Sequence, residues 1–173
     1  MSYYIVDVES DGPIPPKYSM VCFGAVKVDS KLETTFYGTT KPISDIWQPE
    51  ALAISNISRE EHLKFSEPVE TMLDFKKWIE QTNEKGRPIF FSDNLAYDWQ
   101  WINWYFHIYT DSNPFGFSGR RIGDLYCGAV KDTRARWKFL RDTKHTHNPV
   151  DDAKGNAEAL IKILNMGFKE KIV

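Results

Sequence analysis

Two acidic residues one position apart, Asp7 and Glu9, close the apolar run Tyr3-Tyr4-Ile5-Val6. On a β-strand, residues i and i+2 project from the same face, so a strand here sets two carboxylates side by side. Ionised carboxylates a few ångströms apart repel unless a cation or a proton lies between them. Hard divalent ions such as Mg²⁺ or Mn²⁺ take oxygen ligands and meet that demand. Taken alone, Asp-x-Glu is also an ordinary polar strand end. A third acid, Asp98, follows the apolar run Pro88-Ile89-Phe90-Phe91-Ser92 and opens a helix. The carboxyl end of a buried strand is where open α/β sheets hold ligands, although an acid in a first helical turn also suits the helix dipole. A fourth, Asp152, lies near the start of the last expected helix, with His147 on the loop before it. A histidine on a loop beside a metal site is a natural general base for water; the plainer reading is a surface histidine next to capping acids. His145 is its nearest competitor, while His62 and His107 read as structural or exposed.

The elements that must position these groups follow from periodicity. Residues 2–8 are β-branched and aromatic and read as a strand; further strands fit 19–28 and 33–40, and the short connections predict an antiparallel meander. Residues 42–66 read as irregular with short helical turns. Val69, Met72, Phe75 and Ile79 recur at helical spacing over 67–82. A short buried strand over 88–92 leads into a helix over about 97–108, a loop over 111–119, a helix over about 121–131, an exposed polar excursion over 132–150 and a last helix over about 151–165. The order β-β-β-α-β-α-α-α predicts an α/β fold: a mixed sheet flanked by helices. No repeat, low-complexity tract or linker divides the chain, so 1–173 is expected to be one domain.

The 173 residues are 42% hydrophobic, 14% aromatic and 27% charged, enough to bury one core without disulfide or metal staples. The formal net charge of −2 argues against gripping long duplex by overall field, so a nucleic-acid site must be local. Cys22 and Cys127 have no neighbouring ligands at metal spacing and are expected to be reduced core thiols. The N-terminal residues show no basic n-region or long apolar stretch, and no run has the length of a membrane span, so a cytoplasmic location is expected.

Taken together and in order, the three motifs resemble the DEDDh branch of the DnaQ-like exonucleases, which have the ribonuclease H fold. That family is named for four acids and a histidine, which fall here on Asp7, Glu9, Asp98, Asp152 and His147. Asn94, four residues before Asp98, matches the family's Asn-x₃-Asp pattern, and the likeness runs from residue 3 to about 160. Two departures stand out: Ser10-Asp11-Gly12-Pro13 where the family often has Thr, and Pro149 where the last motif has Ala. Neither touches a metal ligand or the base. The small size, Ser92-Asp93-Asn94 and the long aromatic helix are similar to the RNase AS-type exoribonucleases, whose members are small homodimers favouring adenylate-rich RNA.

The resemblance implies a ribonuclease H-like sheet, an antiparallel three-strand meander extended by parallel strands. It implies two-metal chemistry with two Mg²⁺ or Mn²⁺ ions held by Asp7, Glu9, Asp98 and Asp152. His147 would be the general base, and the product a nucleoside 5′-monophosphate cut from the 3′ end of a single strand, RNA favoured over DNA. A homodimer is implied on the same ground. The alternatives are an inactive nucleic-acid-binding module of the same fold and a DNA-directed proofreading-type exonuclease. Substrate contacts are placed at Ser10, Phe23, Asn94 and Trp99, the two aromatics because stacking stabilises a base by ~1–3 kcal/mol. Residues 131–144 hold Lys131, Arg134, Arg136, Lys138, Arg141 and Lys144 against only Asp132 and Asp142, either a solvated face or a strip that guides phosphates. Removing Asp7 or Asp152 is expected to abolish turnover while folding is retained or improved.

Overall fold

In a computed structural model, which describes residues 1–169, the chain forms strands β1 (Tyr3–Ser10), β2 (Met20–Lys27) and β3 (Thr35–Thr39). There follow helices α1 (Pro49–Ile54), α2 (Arg59–His62) and α3 (Pro68–Thr82), strand β4 (Ile89–Ser92), helix α4 (Leu95–Tyr109), strand β5 (Gly119–Arg121) and helix α5 (Ile122–Val130). A 3₁₀ turn (Lys138–Leu140) and helix α6 (Pro149–Leu164) complete it. Residues 170–173, part of the domain expected from sequence, lie outside the described residues.

The five strands form one mixed sheet in the order β3-β2-β1-β4-β5. The first three are an antiparallel meander, and β4 and β5 run parallel to β1. This is the expected ribonuclease H-like sheet. Strand β1 is central and buried on both faces, which is why its sequence is nearly continuously apolar. Tyr4, Val6 and Val8 point into a core shared with Met72, Phe75 and Ile79 of α3 and Trp101, Ile102, Tyr105 and Phe106 of α4. Tyr3 and Ile5 point the other way, against Ile122 and Tyr126 of α5 and Ala153, Ala157, Leu160 and Ile163 of α6. The two-residue period continues past Ile5 and carries Asp7 and Glu9 onto the α6 side.

Two expectations are corrected. Residues 111–119 were expected to be loop, yet Gly119 already pairs with Phe90 as the first residue of β5. Gly119-Arg120-Arg121 is too short and too polar to show alternation, so only the neighbouring strand reveals it. The excursion over 132–150 is not wholly exposed either: Trp137 is 4% exposed and belongs to the α5–α6 core. Cys22 and Cys127 are free thiols, and burial pushes Cys22 up to about 12, in keeping with an inert core residue. Among the described residues, no helix is long and apolar enough to cross a membrane.

Candidate active site

The site forms where the sheet changes from antiparallel to parallel neighbours. Pairing of β1 with β4 covers only Tyr3 to Ile5, so the carboxyl half of β1 has a free edge on that side. Helix α4 starts directly after β4 and fills the gap. Asp98 donates its backbone N–H to the Asn94 carbonyl (3.0 Å), and its Oδ1 accepts the Val8 N–H (3.1 Å). The acid of α4 is thereby tied to the residue between Asp7 and Glu9, and is 3% exposed.

Helix α6 brings the fourth acid from the other side. Gly24 stands opposite Asp7 on β2, and the first turn of α6 rests on it. A Cβ at Gly24 would lie 2.3 Å from the Pro149 carbonyl carbon, so only glycine admits the helix here. Asn148 caps the helix by accepting the Val150 N–H (3.0 Å). Asp152 then sits in the first turn, fully buried. One carboxylate oxygen from each of Asp7, Glu9 and Asp152 lies within 4.8 Å of the others. That spread is close to the ~4 Å across an octahedral shell with ~2.1 Å bonds to Mg²⁺.

The electrostatics favour cation binding. Burial, then the charges of Asp98, Glu9 and Asp152, raise the Asp7 carboxyl well above the ordinary range. Burial, then Asp152, raises Glu9 to about 7. Burial also raises Asp98, to about 8. A bound divalent ion would reverse all three effects by favouring the ionised forms.

Asp152 is held by an array of donors. Its Oδ1 accepts from Arg141 Nη2 (3.0 Å) and the Thr146 N–H (3.1 Å), with His145 Nδ1 at 2.7 Å, and its Oδ2 accepts the His147 N–H (3.0 Å). Arg141, expected from the sequence to belong to a solvated face or a phosphate-guiding strip, is instead turned inward as a partner of Asp152. Its side chain is 7% exposed, and its Nε is buried with no hydrogen-bond partner among the described residues. It lies where a Cβ of Gly155 would be, 2.5 Å from Nε. A glycine in the middle of a helix costs ~1 kcal/mol against alanine, and Gly155 is the signal in the sequence that something passes close to α6. His147 adopts a left-handed backbone (φ 61°), which turns its amide onto Asp152. Its Nδ1 lies 3.8 Å from Glu9 Oε1, and its side chain is 47% exposed. His145 is the second imidazole here, its ring 4.3 Å from that of His147.

The four residues expected to contact substrate have different settings. Asn94 is exposed at the turn before α4, and its side chain makes no capping bond. Ser10 is buried, with its hydroxyl shared between the Gly12 carbonyl and Tyr97 Oη. Phe23 is fully buried among Phe36 and Phe75 (ring centroids 5.7 and 4.8 Å). It has no face open to a base, so the structure corrects that expectation: Phe23 belongs to the core. Trp99 stands edge-on to Phe90 (5.1 Å) and lines a groove with Ile14, Pro15 and Trp104.

No protein-family model matches the chain. A curated relative, the 3′-5′ DNA exonuclease Cap18 of Escherichia coli, is 34% identical over 96% of this chain and 94% of its own length. Among solved structures, the nuclease domain of 3′hExo, a DEDDh family member bound to rAMP, superposes with TM-score 0.79 at 16% identity, covering 99% of this chain and 96% of that one. Cell-death related nuclease 4 gives TM-score 0.78 at 15% identity over 96% of this chain and 64% of its own. The zinc-bound E. coli ExoI–ssDNA complex gives 0.71 at 17% identity over 95% of this chain and 40% of its own.

Proposed function

The chain belongs to the DEDDh group of DnaQ-like 3′-5′ exonucleases, and we propose that it removes deoxynucleoside 5′-monophosphates from the 3′ end of single-stranded DNA at the carboxylate site on β1. The observation that carries this reading is the convergence of Asp7, Glu9 and Asp152 oxygens within 4.8 Å, with Asp98 bonded to the β1 backbone between the first two. DNA replaces RNA as the proposed substrate. The RNA expectation rested on a subgroup likeness of size and aromatic content, whereas the relative matched along nearly the whole chain is named a DNA exonuclease.

Asp7, Glu9, Asp98 and Asp152 would hold the two divalent ions, Mg²⁺ or Mn²⁺. The donor set fits them: all ligands are hard oxygens, and the acids are otherwise left to repel one another in a buried site. When bound, such a pair supplies Lewis acidity at the attacking water and at the leaving 3′ oxygen. His147 would take the proton from the attacking water onto a ring nitrogen. Its amide is fixed on Asp152 while its imidazole remains open to solvent beside Glu9. Arg141 and His145 would orient Asp152 from behind, as outer partners of ligating carboxylates do. Asn94 is the proposed contact to the terminal nucleotide.

The test is a 5′-labelled DNA oligomer with Mg²⁺ or Mn²⁺, beside the matched RNA and a chelator control. The reading requires a ladder shortened stepwise from the 3′ end, dependent on the ion and faster on DNA. Internal cuts would contradict the polarity, and faster digestion of RNA would contradict the substrate.

A further inference from the structure

The basic segment after α5 is divided by the fold. Arg141 turns inward to Asp152. The part before it borders a groove of about 1140 Å³ between α5 and residues 131–138. Arg121, Lys131, Arg134, Arg136 and Lys138 line this groove against Asp93, Asp124 and Asp132. Two of the five cations are already paired, Arg121 with Asp124 (2.9 Å) and Lys138 with Asp93 (2.6 Å). Asp132 is turned back onto the Arg134 N–H (2.9 Å). Lys131, Arg134 and Arg136 are exposed and have no ion pair among the described residues. Trp137 is buried beneath them and fixes the segment to the core. The cations are therefore held on a fixed frame in a chain whose net charge is −2.

One end of the groove leads to the carboxylates. At this rim are Asp93 and Asn94, the turn that launches α4 and accepts the Asp98 N–H. Lys138, paired with Asp93 at the same rim, begins the 3₁₀ turn that carries the segment to Arg141 on Asp152. The volume exceeds the ~300–1,000 Å³ usual for a small-ligand pocket, and the unpaired charges are spread along it. An extended polyanion matches that shape better than one mononucleotide does.

We propose that this groove holds the sugar–phosphate backbone of the single strand 5′ to the nucleotide being removed, with Arg134, Arg136 and Lys131 as its phosphate contacts. The inference rests on the exonuclease reading, and it adds where the uncut strand lies. It accounts for how an acidic protein grips a polyanion: the charge that matters is local.

The test compares wild type with the double variant Arg134→Ala/Arg136→Ala. Binding of a 5′-fluorescein-labelled deoxythymidylate 12-mer is followed by anisotropy in Ca²⁺ over a range of salt, and hydrolysis of the 12-mer and of a dinucleotide is followed in Mg²⁺. The expected result is a 12-mer Kd raised about tenfold. The slope of log K against log salt should become shallower by about 1.4, the release expected for two phosphate contacts on a single strand at ~0.7 each. The ratio of dinucleotide to 12-mer KM should fall about tenfold. An unchanged Kd and slope would overturn the proposal, as would an equal loss on both substrates, which would place the arginines in the chemistry rather than upstream. If dAMP displaced the 12-mer from wild type but not from the variant, the groove would be a mononucleotide pocket and the proposal would also fail. Should wild type leave both substrates intact, the exonuclease reading fails, and the anisotropy arm still decides the groove.

Discussion

At the scale of single residues, the four acids are not equivalent, although they look so in the sequence. Asp7 is surrounded by other carboxylates, and Asp152 by donors. Both neutralising variants should abolish turnover, by at least about 10²–10³-fold, the scale of losing one electrostatic stabiliser of a transition state. Their stabilities should move in opposite directions. Asp7→Asn relieves repulsion and should raise the Tm of the metal-free protein at neutral pH by a few degrees, measured by calorimetry. Asp152→Ala leaves Arg141 buried without its partner and should destabilise by ~3–5 kcal/mol. For Asp152 this prediction departs from the sequence-based expectation that folding is retained or improved, because the buried Arg141 was not visible as its partner; for Asp7 the expectation stands. The two histidines should also separate. His147→Ala is expected to lower kcat by ~10²-fold or more through loss of the proposed base. His145→Ala should act mainly on metal affinity, by ~10-fold, through Asp152. Equal effects of the two on kcat would remove the base assignment from His147.

At the scale of elements, the carboxylate site depends on how closely α6 lies on the sheet. Gly24 is the contact point, and Gly24→Val would force the Pro149–Val150 backbone away from β2. The expected outcome is a stability loss of ~1–3 kcal/mol, as for an overpacked core, with a fall in metal affinity measured by titration calorimetry, because Asp152 moves with the helix. Much of this arrangement was legible. The alternation in β1 placed Asp7 and Glu9 on one face, and the Phe90-Phe91 strand followed by Asp98 located α4. What periodicity could not show was β5, three residues recognised by their neighbour, and Trp137 and Arg141, which tether a polar segment to the core. No local pattern marks those two; only α6 and the residues packed on it define their surroundings. Phe23 failed as a base platform for the same reason. An aromatic on a central strand has two possible faces, and α3 covers the one it uses.

For the whole molecule, the raised acids link stability to pH. In the folded metal-free protein Glu9 titrates at about 7 and Asp98 at about 8, against ordinary values of 4.5 and 3.8. The folded form therefore keeps protons that the unfolded chain has released. Stability must fall as pH rises through the interval between the unfolded and folded values. The Tm of metal-free protein should drop from about pH 5 to about pH 8, and saturating Mg²⁺ should remove the drop by binding the ionised folded form. A flat or rising metal-free profile would contradict the buried acid cluster. Fold class and chain order were readable at this scale because the meander and the following α/β alternation leave few arrangements. The preference for DNA or RNA was not, because it depends on contacts to a sugar hydroxyl that no motif in the chain marks.

Asp7, Glu9, Asp98 and Asp152 are proposed together to hold a pair of divalent ions. Anomalous diffraction from crystals soaked in Mn²⁺ with a 3′-terminal nucleotide tests this most directly. Two peaks ~3.5–4 Å apart are expected among these four carboxylates, with the second peak lost in Asp7→Asn. Ions bound elsewhere, or a cluster left without them while Mn²⁺ supports hydrolysis, would contradict the proposal.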